Sequence, residues 1–417
     1  MSHSSVLVAA TVLERIASAV VLSIADRLLP LFDASPRRVA LSPWFAPLMR
    51  WDAFHFHAIA WHGYTSENQW AFFPGTPFLI RLLRFGSSDG ITQLLWPIAL
   101  LVVACDTTRT LYTLSLHHFP SSPTLATLVS LLSLLPSSPA TLHFAPCSEP
   151  FFTYLSYKGM LYAAKECWIL ATICFTLATT FRSNGILLSG YIIWSLVIQP
   201  FLDRKKTSAL KIMYALFLTV VVTLPFAYHN YSAYSLFCSS SSPTHRPGWC
   251  DNFPPSIYTH VQSKYWNVGF LRYWTLSQIP NFLISAPPLA LLLVFSWYHL
   301  VQGFLPLLRL KLLAPPAPDQ QSKAQPNPSP FLTPTITPHV IHTVFLCVTL
   351  IFFSHTQIVL RLAAALPTLY WGAAWLFLEH AGSSTGKQWR WGRLWVGWSV
   401  IWGLISLGLW AAFLPPA

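Results

Sequence analysis

The chain has 417 residues, of which 54% are hydrophobic, 15% aromatic and only 9% charged, and its mean hydropathy is +0.50. Soluble globular domains carry about 25% charged residues, so that class is excluded, and the long apolar runs make this an all-α, polytopic membrane protein. The net charge of +12 does not signal nucleic acid, because the basic residues sit in short connections between apolar runs and form no single patch.

The first apolar run, 6–31, carries Glu14, Arg15, Asp26 and Arg27 and lacks a small-residue cleavage site. It reads as a retained first span, not as a signal peptide. Further spans are expected at 91–117, 122–142, 149–164, 167–181, 185–201, 209–229, 281–306, 339–354, 357–379 and 394–414. That is about ten in all, between nine and eleven, since 149–181 reads as one broken helix or two short ones. Three basic connections, Arg204 to Lys211, Arg309 to Lys323 and Lys387 to Arg393, are cytoplasmic under the positive-inside rule. Counting spans from them puts 32–90, 143–150, 182–184, 230–280 and 354–357 together on the opposite, luminal side.

No soluble domain and no internal repeat is visible, so 1–417 forms one membrane domain. Within it, 314–338 holds eight prolines and reads as a flexible cytoplasmic linker. The loops 32–90 and 230–280 are rich in Trp, Tyr, His and Pro instead, which suits folded, functional loops and also an aromatic belt at the headgroups. Cys238 and Cys250 lie in the second loop and are able to pair if the lumen is oxidising. Asn230-Tyr231-Ser232 is a glycosylation sequon that abuts the membrane.

The first loop contains the run Arg50-Trp51-Asp52-Ala53-Phe54-His55-Phe56-His57. In a chain with only 13 acidic residues, a carboxylate beside the bilayer suggests function, and Asp52 is the first candidate. As a helix, 50–62 places Asp52, His55 and His62 on one stripe beside an apolar face of Phe54, Ala58 and Trp61. Metal ligation by Asp52, His55, His57 and His62 is the weaker reading, since His57 points elsewhere and no cysteine or second acid joins them. Pairing of Asp52 with Arg50, or capping of a turn, is the structural alternative. Arg361 follows His355-Thr356-Gln357 inside an apolar run. It either snorkels or faces a lipid phosphate within the bundle.

These residues, with Ala71-Phe72-Phe73-Pro74-Gly75, Ser148-Glu149-Pro150, Arg182-Ser183-Asn184-Gly185 and Tyr265-Trp266-Asn267-Val268-Gly269-Phe270-Leu271-Arg272-Tyr273, are collinear with a known pattern. Phe237-Cys238, Trp249-Cys250, Gln278-Ile279-Pro280-Asn281-Phe282 and Thr356-Gln357 with Arg361 continue it. The chain resembles the GPI mannosyltransferase 2 family from about residue 10 to 380. Trp70 and Thr76 depart from the pattern, as does the segment 314–338.

The resemblance implies a GT-C type glycosyltransferase of the endoplasmic reticulum with a luminal site. Its donor would be dolichyl-phosphate mannose, its acceptor a one-mannose GPI lipid in the membrane, and its bond α-1,6. No cofactor and no metal is implied. A small membrane subunit is an expectation, because fungal members are thought to act with one. The donor is β-linked and the product α-linked, so one in-line displacement needs one base, for which Asp52 is the natural candidate. Substrate contacts are expected from Arg50, Trp51, His55, Glu149, Arg182, Asn184, Lys264, Trp266, Asn267, Arg272, Gln357 and Arg361, with Lys264 and Arg272 foremost for the phosphate. A transferase of the same architecture with another acceptor is the alternative. A transporter would show mid-span polar groups and repeats instead.

Overall fold

Hydrocarbon offers backbone groups no hydrogen-bond partner, so the apolar runs of this chain satisfy their N–H and C=O groups internally, as helices. A computed structural model describes residues 3–35, 45–83, 90–239, 246–313, 329–378 and 389–415, and among these there is no strand. In chain order the helices begin with α1 (His3–Leu28), α2 (Asp52–His62), α3 (Gly75–Leu82), α4 (Gly90–His118), α5 (Pro123–Leu132) and α6 (Pro139–His143). They continue as α7 (Glu149–Ala164), α8 (Trp168–Phe181), α9 (Ser189–Ile193), α10 (Gln199–Leu202), α11 (Ala209–Phe237) and α12 (Ile257–Trp266). Then come α13 (Ile279–His299), α14 (Leu305–Leu313), α15 (Thr337–Phe352), α16 (Val359–Leu362), α17 (Pro367–Leu378) and α18 (Trp389–Ala411).

Seven helical stretches among the described residues are long and apolar enough to cross a bilayer: His3–Leu28, Leu94–His118, Ser183–Leu202, Ala209–Phe237, Leu276–Lys311, Pro334–Phe352 and Arg390–Ala411. An eighth results if Thr356–Ala365 and Pro367–Leu378 count as one span bent by 86°. The expected ten is therefore not reached by this measure. Two physical reasons account for the difference. Pro139 starts a new helix, so 122–142 is not one span but α5 and the one-turn α6. The stretch 149–181 resolves into α7 and α8, of 16 and 14 residues, or about 24 and 21 Å, short of a hydrocarbon core of about 30 Å.

Of those short helices α7 is almost wholly buried, whereas α8 turns Ile169, Leu170, Ile173 and Leu177 outward. α7 packs against α4 on one side and α8 on the other, and α8 packs in turn against α11. Gly159 permits the α7–α8 approach, since a Cβ there would stand 2.3 Å from the Phe175 ring. Close contacts across small residues are how helices gain dispersion energy in a membrane. Prolines occupy the first turns of α5, α6, α7 and α15, where the missing N–H costs nothing.

Of the expected linker, 314–338, residues 314–328 lie outside the described residues. From 329 onward it is corrected. Short 3-10 turns at Pro330–Leu332 and Pro334–Ile336 lead into α15, and Phe331 is fully buried.

The first and second long loops pack on one another at one end of the bundle. Trp70, Ala233, Trp249, Ile257 and Val261 form a separate apolar cluster there, with Cys238 and Cys250. These two cysteines are disulfide-bonded. α11 runs past the expected end at 229 to Phe237, which carries His229 to within 2.9 Å of the Trp70 carbonyl. Asn230 is buried, donates to the Phe226 carbonyl at 2.9 Å and accepts from Ser256 Oγ at 2.9 Å.

Candidate active site

At that same end lies a cleft of about 400 Å³, lined by residues of both loops and of the helix ends beneath them. Its floor is built by helix termini. The backbone turns at Trp51, whose φ is +50°, a strained value for a non-glycine residue. Trp51 is held there by the Phe413 ring at 5.2 Å and by its own Nε1, which donates to the Leu414 carbonyl at 3.3 Å. The turn makes Asp52 the first residue of α2, where free N–H groups and the helix dipole favour a carboxylate.

Glu149 opens α7, Arg182 closes α8, and Arg361 stands on α16. The four side chains meet. Arg361 donates from Nη1 to Asp52 Oδ2 at 2.7 Å and from Nη2 to Glu149 Oε1 at 2.6 Å. Arg182 Nη1 reaches the same Glu149 oxygen at 2.5 Å. Glu149 is 2% exposed, whereas the Asp52 side chain is 33% exposed and borders the cleft. The set carries two negative and two positive charges, and a balanced network is the form in which buried ions are tolerated.

Burial alone would push the Asp52 carboxyl up. The Arg361 guanidinium overrides it, with smaller help from His55 and Arg182, and holds the group below the ordinary aspartate value. His55 stacks on Phe72 at 4.6 Å, and burial lowers its imidazole against the pull of Asp52. Asp52 is therefore the ionised group and His55 the neutral one near neutrality.

The side of the cleft comes from α12 and the break before α16. Tyr258, Gln262 and Trp266 line it. His355 Nε2 lies 2.6 Å from the Trp266 carbonyl, and the Tyr273 hydroxyl donates to Gln357 Oε1. Ser183 and Tyr258 hydroxyls are 2.7 Å apart across the floor.

Of the residues singled out in the sequence, Asp52, Arg182, Asn184, Trp266, Gln357 and Arg361 line the cleft, and Glu149 lies directly behind it. Others are elsewhere. Arg50 is 1% exposed and pairs with Asp26 at 2.9 Å, donating also to the Ala46 and Met49 carbonyls; it is not the partner of Asp52. Asn267 caps α12 with a left-handed φ of +51°. Lys264 pairs with Glu67 at 3.0 Å on the outer surface, and Arg272 donates to Ser263 Oγ at 2.8 Å. Arg361 neither snorkels nor stands free, because two carboxylates hold it. The buried face of α2 is Ala53, Phe56, Ile59 and Ala60, and Trp61 is exposed, so the apolar face assigned to Phe54, Ala58 and Trp61 is corrected. Tyr258 was not singled out, yet positions 258, 262 and 266 are spaced by four residues, one stripe of a helix. Among the described residues no three of His, Cys, Asp and Glu gather in a metal-holding group.

A family model described as Mannosyltransferase (PIG-V) matches residues 7–417. The chain is 34% identical to the GPI mannosyltransferase 2 of Cryptococcus neoformans, covering 100% of this chain and 99% of that protein. It is 32% identical to the rat GPI alpha-1,6-mannosyltransferase 2, covering 80% of this chain and 74% of the rat protein. The human counterpart is 31% identical, over 80% and 73% respectively. Among solved structures, the Archaeoglobus fulgidus oligosaccharyltransferase superposes with a TM-score of 0.44 at 10% identity, covering 96% of this chain and 55% of that one.

Proposed function

The chain belongs to the PIG-V mannosyltransferase family, and from that premise we propose that its cleft adds the second mannose of a glycosylphosphatidylinositol anchor. The mannose comes from dolichyl-phosphate mannose and joins the single mannose of a GPI lipid through an α-1,6 bond. The observation that carries this reading is the Asp52–Arg361–Glu149 constellation on the floor of the cleft.

The chemistry follows from what each group is able to do. The acceptor O6 attacks C1 of mannose from the face opposite the phosphate, and Asp52 takes the hydroxyl proton. The C1–O bond breaks with its electron pair on dolichyl phosphate, so the β-linkage becomes α. Such a base is worth about 10²–10⁴ in rate. The leaving phosphate carries its own negative charge, so this reading assigns no step to a metal. Arg361 is the candidate for the phosphate, with Arg182 beside it, because a guanidinium binds two oxygens at once. Drawing Arg361 toward the donor would loosen its hold on Asp52 and make the carboxylate a stronger base. Glu149 then positions both guanidinia. Trp266, Phe72 and Tyr258 offer apolar faces on which sugar rings stack.

A luminal site in the endoplasmic reticulum is part of the proposal. It is supported by the disulfide in the second loop, which persists in an oxidising compartment, and by the basic connections at the other end. A small membrane subunit remains an expectation of the same reading. Microsomes carrying the protein, supplied with radiolabelled dolichyl-phosphate mannose and a one-mannose GPI lipid, test it. The expected product is a two-mannose lipid whose label an α-1,6-specific mannosidase removes. Label appearing on protein serine or threonine instead would establish the alternative acceptor class.

A further inference from the structure

The end of the bundle opposite the cleft holds a second cavity, of about 600 Å³. It forms where α4 ends, α7 gives way to α8, α10 to α11, and α15 begins. α15 connects the two sites: His339 lines this cavity and Thr349 lines the cleft, about 15 Å apart along a helix rising 1.5 Å per residue. None of the residues that line the cleft lines this cavity.

Its inner wall is polar in a stretch that is otherwise apolar. His118 is 7% exposed; its Nδ1 lies 3.0 Å from Thr335 Oγ1, and its Nε2 is buried without a partner. The His339 ring is 5.0 Å from that of His118, and its Nδ1 lies 3.1 Å from the Tyr191 hydroxyl. Thr207 Oγ1 is likewise buried without a partner. When Thr335 donates to Nδ1 of His118, the proton of the ring sits on Nε2, and that nitrogen seeks an acceptor. Buried polar groups in native proteins are nearly always satisfied, so two unsatisfied atoms at one cavity point to something that fills it.

The rim says what charge that is. Lys205, Lys206 and Lys211 line it, are exposed, and make no ion pair among the described residues. Two acids share the lining, but Asp203 is held by Lys311, which leaves Glu166 against three lysines. Trp168 and Trp194 complete the wall, as suits the headgroup level of a bilayer.

We propose that this cavity binds a phosphate ester. Its oxygens take the hydrogen bonds that His118 Nε2 and Thr207 Oγ1 lack, and its charge is held by Lys205, Lys206 and Lys211. A phosphate has enough acceptor oxygens for donors arriving from the wall and from the rim together. Two sources carry that chemistry, the headgroup of an anionic phospholipid in the surrounding leaflet and a dissolved phosphate ester.

The test uses the full chain in neutral detergent and native mass spectrometry. Phosphatidic acid is compared with phosphatidylcholine of the same acyl chains, and inorganic phosphate serves as competitor. Phosphatidic acid should be retained at least about tenfold better than phosphatidylcholine, the equivalent of one charge-assisted hydrogen bond. K205Q/K206Q/K211Q should lose that preference, while R309Q/R390Q, which removes exposed cations outside the cavity, should keep it. His118→Phe should weaken retention as well, and the lysine variant decides the matter if His118→Phe fails to fold. Displacement of the lipid by millimolar inorganic phosphate would support a dissolved ester; a lipid that phosphate does not displace would support the headgroup. Equal retention of the two lipids, or equal loss in both multiple variants, would overturn the site.

Discussion

At the scale of single residues the proposal rests on Asp52, and its chemistry separates from its structure by one atom. Asp52→Asn keeps the size and shape of the side chain and leaves it able to hydrogen-bond at the start of α2. It removes the basic oxygen, so kcat should fall by roughly 10²–10⁴ with donor binding largely kept. Complementation of cells lacking the activity, scored by surface display of GPI-anchored proteins at matched expression, measures it; normal display would reject Asp52 as the base. Arg361 sets the pH at which that base works. The guanidinium holds the Asp52 carboxyl low, so the ionised form persists as pH falls below the ordinary aspartate value and is lost only through the depressed one. The ion pair contributes to stability in the same sense, present above the unfolded value and lost as pH drops through the folded one. In Arg361→Gln, burial is left without its main counterweight and the carboxyl pKa rises. The acid limb of kcat/KM should then move to higher pH, with kcat reduced by about 10²–10³ as for loss of a transition-state donor. An unmoved acid limb would mean that the base lies elsewhere.

At the scale of elements, what was legible in the sequence depended on how local its cause was. The helix containing Asp52 was readable from 50 to 62 because its apolar and polar residues alternate with helical period, and it forms as Asp52–His62. Its buried face was not, since six aromatic or imidazole positions are apolar enough to serve on either side, and the neighbour that decides is distant in sequence. The bend that follows Arg361 was hidden for a related reason. Composition from 362 to 378 is almost uniformly apolar, while the 86° bend at Leu366 goes with Pro367, before which Leu366 is extended. Lys264 and Arg272 stood in the most distinctive run, yet that run folds the second loop and presents them outward. Motif density marked the element, not the atom. The loop itself is closed by Cys238–Cys250, 12 residues apart, and a loop of that size contributes about 3 kcal/mol in the chain-entropy account. Cys238→Ser with Cys250→Ser should lower the unfolding temperature in detergent and expose the Trp70–Trp249 cluster to quenchers. An unchanged temperature with both sulfurs removed would show that packing alone holds the loop.

At the scale of the whole molecule, charge placement and contact agree on which ends belong together. The two long loops were assigned to one side from the distribution of lysine and arginine alone. Their packing, through Glu67 with Lys264 and through the cluster around Trp70, is incompatible with opposite sides. The exact count of crossings was less legible, because α7 and α8 are as apolar as the true spans yet too short to match the bilayer thickness, and only α7 is shielded by its neighbours. Orientation relative to the membrane has a built-in probe. Cys167 is exposed in the connection between α7 and α8, at the end that carries the basic segments, and Ser66 is exposed at the cleft end. In sealed microsomes with the cytoplasmic face outward, an impermeant thiol reagent should label Cys167 at once. Ser66→Cys should react only after the membrane is permeabilised. The background thiols Cys105, Cys147, Cys174 and Cys347 are buried or half-buried and serve as the unreactive baseline. The reverse order of labelling would place the cleft on the cytoplasmic face, where neither the disulfide nor the positive-inside rule allows it. The bundle would then have to be turned over, with the phosphate cavity facing the lumen.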